Sequence, residues 1–374
     1  MTSAAESAPV ALVFNPTKVN QRALLREFQQ AADRAGRELR LFETTETDAG
    51  EECTLKAIAE GASLIIAAGG DGTVRAVAQA LRRSAMRGKH VPLAIVPSGT
   101  GNLLARNIGL PLNSLAQAAS IAFGSNSVDI DLGIAQFTLA EETTAQLPPG
   151  TQQISRQRLE QQAEFAQHPE EPYPTTAQIT VIDLDSEHTS EHVFLVLAGI
   201  GLDAHMIRNT HPTLKKSVGW VAYLVGGVRS LLKSRRVRMS FIVGDQKKRS
   251  HRVHTIMIAN CGELPGGLRF LPEARIDDGL LDIVVLRAEG FIGWWQVTWQ
   301  MIWQNGIRRR HIAGKKIREN DNERRTVNYL TGDSIKLLPS VPSPIELDGD
   351  ELGTVERMHC WVEPGALTVM VAGG

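Results

Sequence analysis

The sequence predicts an α/β domain built on a doubly wound parallel sheet, followed by a β-rich second domain. Three observations predict it. In the stretch Leu64-Ile65-Ile66-Ala67-Ala68-Gly69-Gly70-Asp71-Gly72-Thr73-Val74, an apolar run of the kind buried on both faces of a parallel sheet leads into a glycine turn. Val74, Val77, Ala78 and Leu81 then continue at helical spacing. The same strand–turn–helix order recurs where Val91 to Val96 ends in Pro97-Ser98-Gly99-Thr100-Gly101-Asn102, ahead of Leu103, Leu104, Ala105 and Ile108. After Phe123 the texture changes, and from about residue 178 strands dominate. The expected division is 1–127 for the first domain, with 361–374 returning to it, and 128–360 for the second.

The chain has 374 residues, more than one ordinary core accommodates, so two domains are expected. Its 40 Lys+Arg nearly balance 41 Asp+Glu, which argues against nucleic acid as a partner and against a charged, disordered tail. Cys53, Cys261 and Cys360 form no Cys-x-x-Cys pair and read as reduced thiols of a cytoplasmic protein. Met1 to Pro9 lacks the apolar core of a signal peptide, and runs such as Val193 to Ala198 are too short to span a bilayer. Any membrane contact is expected to be peripheral.

Taken in order, Val10 to Phe14 reads as a buried strand stopped by Asn15-Pro16, because proline donates nothing to a ladder. Asn15 would then stand at the carboxyl end of a strand, where open α/β sheets bind ligands. A helix is expected over 20–36, with Gly36 as its stop. Leu39 to Phe42 is a second strand, with Thr44 and Thr45 just past it, and Asp48 to Glu60 a second helix. Asn113 to Phe123 reads as a helix, and Val128 to Leu132 as an alternating strand with Asp129 and Asp131 on its polar face. Residues 136–178, rich in Gln, Glu, Thr and Pro, read as a surface insert. Gln178 to Leu184 and His192 to Ala198 are expected to form a hairpin. Further strands are Arg238 to Val243, Val253 to Ala259, Leu281 to Leu286, Ser334 to Leu338 and Leu367 to Val371.

A glycine turn between strand and helix aims bare N–H groups and the positive end of a helix at one point, which suits a phosphate. The plain alternative is a tight turn with no ligand. The chain has neither a Gly-x-x-x-x-Gly-Lys-Ser/Thr loop nor a protein-kinase catalytic-loop signature, and no Gly-x-Gly-x-x-Gly follows its first strand. Instead, acidic turns lie in the β-rich half: Asp203, Asp277-Asp278-Gly279, and Leu347-Asp348-Gly349-Asp350-Glu351. Each is also an ordinary hairpin sequence. Carboxylates facing a phosphate-binding rim are what phosphoryl transfer needs, to hold Mg²⁺ and to accept a proton from an attacking hydroxyl.

Five motifs occur in order: Gly69-Gly70-Asp71-Gly72-Thr73, Pro97-Ser98-Gly99-Thr100-Gly101-Asn102, Ala198-Gly199-Ile200-Gly201-Leu202-Asp203-Ala204, Asp277-Asp278-Gly279-Leu280-Leu281-Asp282 and Leu347-Asp348-Gly349-Asp350. In this the chain resembles the diacylglycerol kinase catalytic family, the bacterial lipid kinases related to sphingosine and ceramide kinases. The resemblance implies an α/β nucleotide domain, a β-sandwich-like second domain and an ATP site in the cleft between them. By the matching motifs, Asn15, Pro16, Thr17 and one of Thr44 and Thr45 would line the nucleotide. Gly69, Gly70, Asp71, Gly72, Thr73 and Thr100 would cradle its phosphates. Asp278 with the carbonyls of Arg275 and Leu280 would hold Mg²⁺, and Asp350 or Glu351 would be the general base, with Asp71 also counted among the catalytic carboxylates. Two departures stand out. The family pattern has Glu where this chain has Asp350, and Asn-Glu where it has Arg75-Ala76.

Phe291 to Trp303 carries four tryptophans, with Arg308-Arg309-Arg310 and Lys315-Lys316 following; Trp220, Tyr223 and Leu224 precede Arg229, Lys233, Arg235 and Arg236 in a weaker version. Aromatics beside cations suit a membrane interface, although a helix packed on its own domain gives the same pattern. The expected activity is ATP- and Mg²⁺-dependent phosphorylation of diacylglycerol or a similar lipid alcohol. The alternatives are a non-catalytic lipid or nucleotide binder on the same fold and an NAD-kinase-like kinase of a soluble acceptor. A homodimer stays open, since sheet-edge pairing leaves no sign in the sequence.

Overall fold

The computed structural model describes residues 8–140, 189–201, 236–264, 268–269, 271, 274–287 and 327–373. The first domain is a parallel sheet in the order β4-β3-β1-β2, with β1 at Val10–Phe14, β2 at Leu39–Glu43, β3 at Leu64–Gly69 and β4 at Leu93–Pro97. Every residue of β1 and β3 is buried, as parallel strands covered on both faces require. Helices α1 (Gln21–Arg34), α2 (Glu51–Ala59), α3 (Asp71–Ala85), α4 (Leu103–Asn107) and α5 (Leu115–Ala122) flank it.

Local chemistry sets the helix ends. Asn20 caps α1 by accepting from the Ala23 N–H at 3.2 Å, and Gly36 ends the turn beyond it at φ +64°. Leu24, Phe28 and Ala32, four residues apart, form its buried face. Burying the first two contributes roughly 2 kcal/mol each. The helix expected from Asp48 starts at Glu51 instead. Asp48 serves as its cap, accepting from the N–H groups of Gly50, Glu52 and Cys53 at 2.9, 3.1 and 3.0 Å. Burial works against the charged form of Asp48, but these donors outweigh it and hold the carboxyl below its usual range.

The second half contains β5 (Ser127–Leu139), β6 (Thr189–Phe194), β7 (Leu197–Ile200), β8 (Val237–Val243), β9 (Arg249–Val253), β10 (Thr255–Ala259), the short pair β11 (Glu263–Leu264) and β12 (Leu268–Arg269), β13 (Leu281–Leu286), β14 (Val327–Gly332), β15 (Ser334–Pro339), β16 (Ser343–Leu347) and β17 (Asp350–Met370). Its layers enclose a second core that includes Phe137, Phe194, Phe241, Ile258 and Met358. The expected fold class, α/β followed by a β-sandwich-like domain, is what is found. Two strands belong to both halves. β17 pairs β16 at its start and lies parallel to β4 at Val369↔Leu93 near its end, with β5 antiparallel beside it through both halves.

Several elements differ from expectation. The predicted strand His192 to Ala198 is two strands, β6 and β7, because Asp348 draws the N–H groups of the intervening Leu195 and Val196 away from any ladder. β6 pairs β5; its predicted partner, 178–184, lies outside the described residues. Val253 to Ala259 is likewise broken, between β9 and β10. The predicted insert starts too early: Gln136 to Leu139 belong to β5, paired across to β17. Leu367 to Val371 is only the end of the long β17, and α4 is a short helix. Asp131, expected on a polar face, is 2% exposed. The insert from 141, Asp203 and both tryptophan- or cation-rich stretches up to Arg235 and from 291 to 316 lie outside the described residues.

Candidate active site

The ends of β1, β2, β3 and β4 form one rim, stitched by backbone hydrogen bonds. Asn15 N–H donates to Ala68 O at 3.0 Å, Thr44 N–H to Phe14 O at 3.0 Å and Ser98 N–H to Gly69 O at 2.8 Å. Ligands of open α/β sheets bind at this edge. Asn15 closes a local turn, its Oδ1 accepting from the N–H and hydroxyl of Thr17 at 3.0 and 2.8 Å. Pro16 lies between them, half-buried. The two threonines after β2 differ. Thr45 Oγ1 accepts from Asp48 N–H at 3.0 Å, whereas Thr44 Oγ1 is buried with no partner among the described residues. Of the two, Thr44 is the one whose hydroxyl has no partner among the described residues.

The two glycine turns pack against each other. A Cβ on Gly99 would lie 2.7 Å from Gly70 Cα, and one on Gly101 2.6 Å from Asp71 Oδ2. Asp71 braces the pair, accepting from the N–H groups of Asn102 and Leu103 at 2.9 and 2.5 Å. Burial pushes its carboxyl up; the two donors oppose this, and the nearby negative charge of Asp350 adds to it. Asn102 completes the second turn in the left-handed conformation at φ 48°, its amide accepting from Gly99 N–H at 2.8 Å and donating to Gly99 O at 3.0 Å. Thr73 is buried beneath Gly69, while Thr100 is exposed at the tip. Just behind the turns is a cavity whose lining includes Asp71, Asn102, Leu103, Val196 and Asp348.

The second domain meets this rim through the β16–β17 hairpin. Its two-residue loop, Asp348-Gly349, has φ of 50° and 93°, the positive pair that favours Asp-Gly. Asp348 is buried and accepts from the N–H groups of Leu195, Val196 and Leu197 at 2.8, 2.8 and 3.0 Å. Burial raises its pKa against the pull of these donors. So anchored, the hairpin sets Asp350 beside the first glycine turn. Its Oδ2 is 3.0 Å from where a Gly72 Cβ would be, and accepts from Arg75 Nη2 at 2.8 Å. Glu351 follows, half-buried, in register with Glu346.

One face of α3, at helical spacing, holds the domains together. Arg75 reaches Asp350, Gln79 accepts from Val193 N–H at 2.7 Å, and Arg82 bonds both Glu363 and Glu191. At α4, Asn107 donates to Glu263 O at 2.9 Å and accepts from Glu263 N–H at 3.0 Å. The motifs do not flag these contacts. The sequence does hold a cue for α3, three polar residues at helical spacing in a helix that is otherwise largely apolar.

Asp278 lies on an exposed turn at the junction of the domains. Buried Asp131 ties that turn to β17, accepting from Gly279 N–H at 2.7 Å and Gly365 N–H at 2.8 Å. Asp278 Oδ1 accepts from Leu280 N–H at 3.1 Å, and burial raises its pKa. Arg275 turns its guanidinium to Asp277 at 2.9 and 3.2 Å, and its charge acts on Asp278 as well. One carboxylate with backbone carbonyls is a hard-oxygen set that fits Mg²⁺. Among the described residues no three carboxylate, imidazole or thiol groups converge on one point.

Comparison with known proteins agrees with this architecture. Residues 9–135 match the diacylglycerol kinase catalytic domain and residues 196–298 the YegS C-terminal NAD kinase beta sandwich-like domain. The chain thus carries a region similar to the diacylglycerol kinase catalytic domain followed by one similar to the YegS C-terminal domain. A Pseudomonas aeruginosa protein named "Probable lipid kinase YegS-like" is 30% identical over 252 residues, 67% of this chain and 64% of the relative. The Synechocystis protein sll0036, uncharacterized, is 26% identical over 298 residues, 79% of this chain and 52% of the relative. The chain thus spans between about half and just under two thirds of these relatives. A crystal structure named as a diacylglycerol kinase from Bacillus anthracis superposes with a TM-score of 0.59 at 19% identity, covering 98% of this chain and 97% of that one.

Proposed function

We propose that this chain is a lipid kinase that transfers the γ-phosphate of ATP to the hydroxyl of diacylglycerol or a similar lipid alcohol. One observation carries the reading: the Asp350 carboxylate of the second domain lies against Gly72 of the first domain's glycine turn. A proton acceptor and a phosphate cradle are thereby brought to one place. In this reading Asn15, Pro16, Thr17 and Thr44 line the nucleotide. The backbone of Gly69 to Thr73 and the Thr100 hydroxyl hold its phosphates. The acceptor hydroxyl oxygen attacks the γ-phosphorus as the bond to the β-phosphate oxygen breaks, and its proton passes to Asp350. ADP leaves with the electron pair of the broken bond. Asp278 with the carbonyls of Arg275 and Leu280 would hold Mg²⁺ at the domain junction, and Mg²⁺ would supply charge neutralisation for the phosphates. Asp71 acts by keeping the two turns together, and Glu351 stands in reserve one residue beyond the base.

The test is incubation with γ-labelled ATP and a panel of lipid alcohols in mixed micelles, with and without Mg²⁺. A labelled lipid supports the reading; none under any condition overturns it. The NAD kinase-like character of the second domain's family favours one competing acceptor, so NAD without detergent belongs in the panel. Sedimentation with anionic vesicles tests the peripheral membrane contact, which the 291–303 tryptophans and the following cations motivate.

A further inference from the structure

Two of the three positions at which the sequence departs from the family pattern, Arg75 and Asp350 but not Ala76, meet in space. Arg75 stands where the pattern has Asn, Asp350 where it has Glu, and Arg75 Nη2 donates to Asp350 Oδ2 at 2.8 Å. The separation of their backbones is set elsewhere. Gln79 grips Val193 N–H, and Arg82 grips Glu363, from the same face of α3. With that gap fixed, the two side chains must span it between them. A shorter carboxylate calls for a longer partner.

The surroundings fit this account. Asp350 lies close against Gly72, a Cβ on which would be 3.0 Å from Oδ2, so the carboxylate is bounded on that side. The carboxylate is 46% exposed and its guanidinium partner 16%, so a substrate hydroxyl can approach Asp350 while Arg75 grips it from behind. Arg75 Nε is buried with no partner among the described residues. The fork is thus placed for the carboxylate, at the cost of one of its own donors.

We infer that Arg75 is the positioning residue of the proposed base and that 75 and 350 form a length-matched pair, neither of which works with the family's residue at the other. This rests on the kinase reading. The test is a four-cornered comparison of wild type, Arg75→Asn, Asp350→Glu and the double variant, each with kcat, KM for ATP and a thermal melt. Each single change should lower kcat by about tenfold to a hundredfold, with KM for ATP within about threefold of wild type, since misplacing a reacting group costs on that order. The double variant should recover at least about tenfold over the poorer single one. Should Arg75→Asn fail to fold, Arg75→Lys and Asp350→Glu decide: Lys keeps the charge without the planar fork and should lower kcat. In an active wild type, losses that simply multiply, or an Asp350→Glu enzyme as fast as wild type, overturn the matched pair and leave the kinase reading standing. A wild type that labels no lipid overturns both.

Discussion

Arg82 of helix α3 holds Glu363 of β17 through two hydrogen bonds, Nε to Oε2 at 2.7 Å and Nη2 to Oε1 at 2.5 Å, while its Nη1 reaches Glu191 of β6 at 2.5 Å. The arginine is 5% exposed and its partners Glu363 and Glu191 are 30% and 38% exposed, so this junction between the two domains is partly desolvated. Removing one partner of such a cluster leaves charges that water does not fully rescue. Arg82→Ala is expected to cost about 2 kcal/mol, less than for a fully buried pair because both carboxylates keep part of their water. Chemical denaturation checks it, and a change under about 1 kcal/mol would mean that the junction contributes little.

The packed glycine turns yield a contrast between neighbours. A Cβ on Gly99 would sit 2.7 Å from Gly70 Cα, whereas one on Gly70 would meet Gly99 Cα at an ordinary 3.5 Å. Gly99→Ala should therefore weaken ATP binding at least about tenfold by forcing the turns apart, and Gly70→Ala by much less, since a displaced phosphate cradle loses its aligned donors. Titration calorimetry with ATP reads both. Equal losses would show that spacing between the turns is not what counts.

Asp348 supplies acceptors for three backbone N–H groups at the bend between β6 and β7. Asp348→Ala strands those donors and frees the hairpin that presents Asp350. The expected loss is about 3 kcal/mol of stability, from one to three unsatisfied buried groups. With it should come a larger drop in kcat than in affinity for ATP.

His359 offers a pH test remote from the glycine turns. It packs at a tilt of 39° against Trp361 with ring centroids 5.0 Å apart, and burial, with Lys336 opposite on β15, lowers its pKa to about 4. The unfolded chain binds the proton near 6.5, so the folded state binds fewer protons between those values. The stability from a neutral His359 is therefore complete above pH 6.5 and is lost as pH falls toward about 4. His359→Gln should flatten the melting temperature against pH across that window; an unchanged slope would exclude the imidazole as its source.

Much of the fold was readable because it is written locally. β3, its glycine turn and α3 are specified by adjacent residues, and so are the ends of β1 and β4. What could not be read depends on contacts distant in sequence. Asp71 looks like a free carboxylate until Asn102 and Leu103 bring their N–H groups to it. Asp131 looks like a surface residue until Gly279 and Gly365 do the same. The Arg75–Asp350 contact joins residues 275 positions apart, and only the fold makes two separate departures from a motif into one. β17 was hidden for a different reason. Pro364-Gly365 interrupts its alternation, and its register with β5 shifts between Glu363 and Leu367 to absorb the irregularity.

Because β5 and β17 run through both halves, neither half can be cut out whole. A truncation after the first parallel strands would bare the flank of β4 and strip Leu93 of its neighbour Val369. An excised first half would therefore have to carry the final strand along with the opening ones to keep its sheet covered.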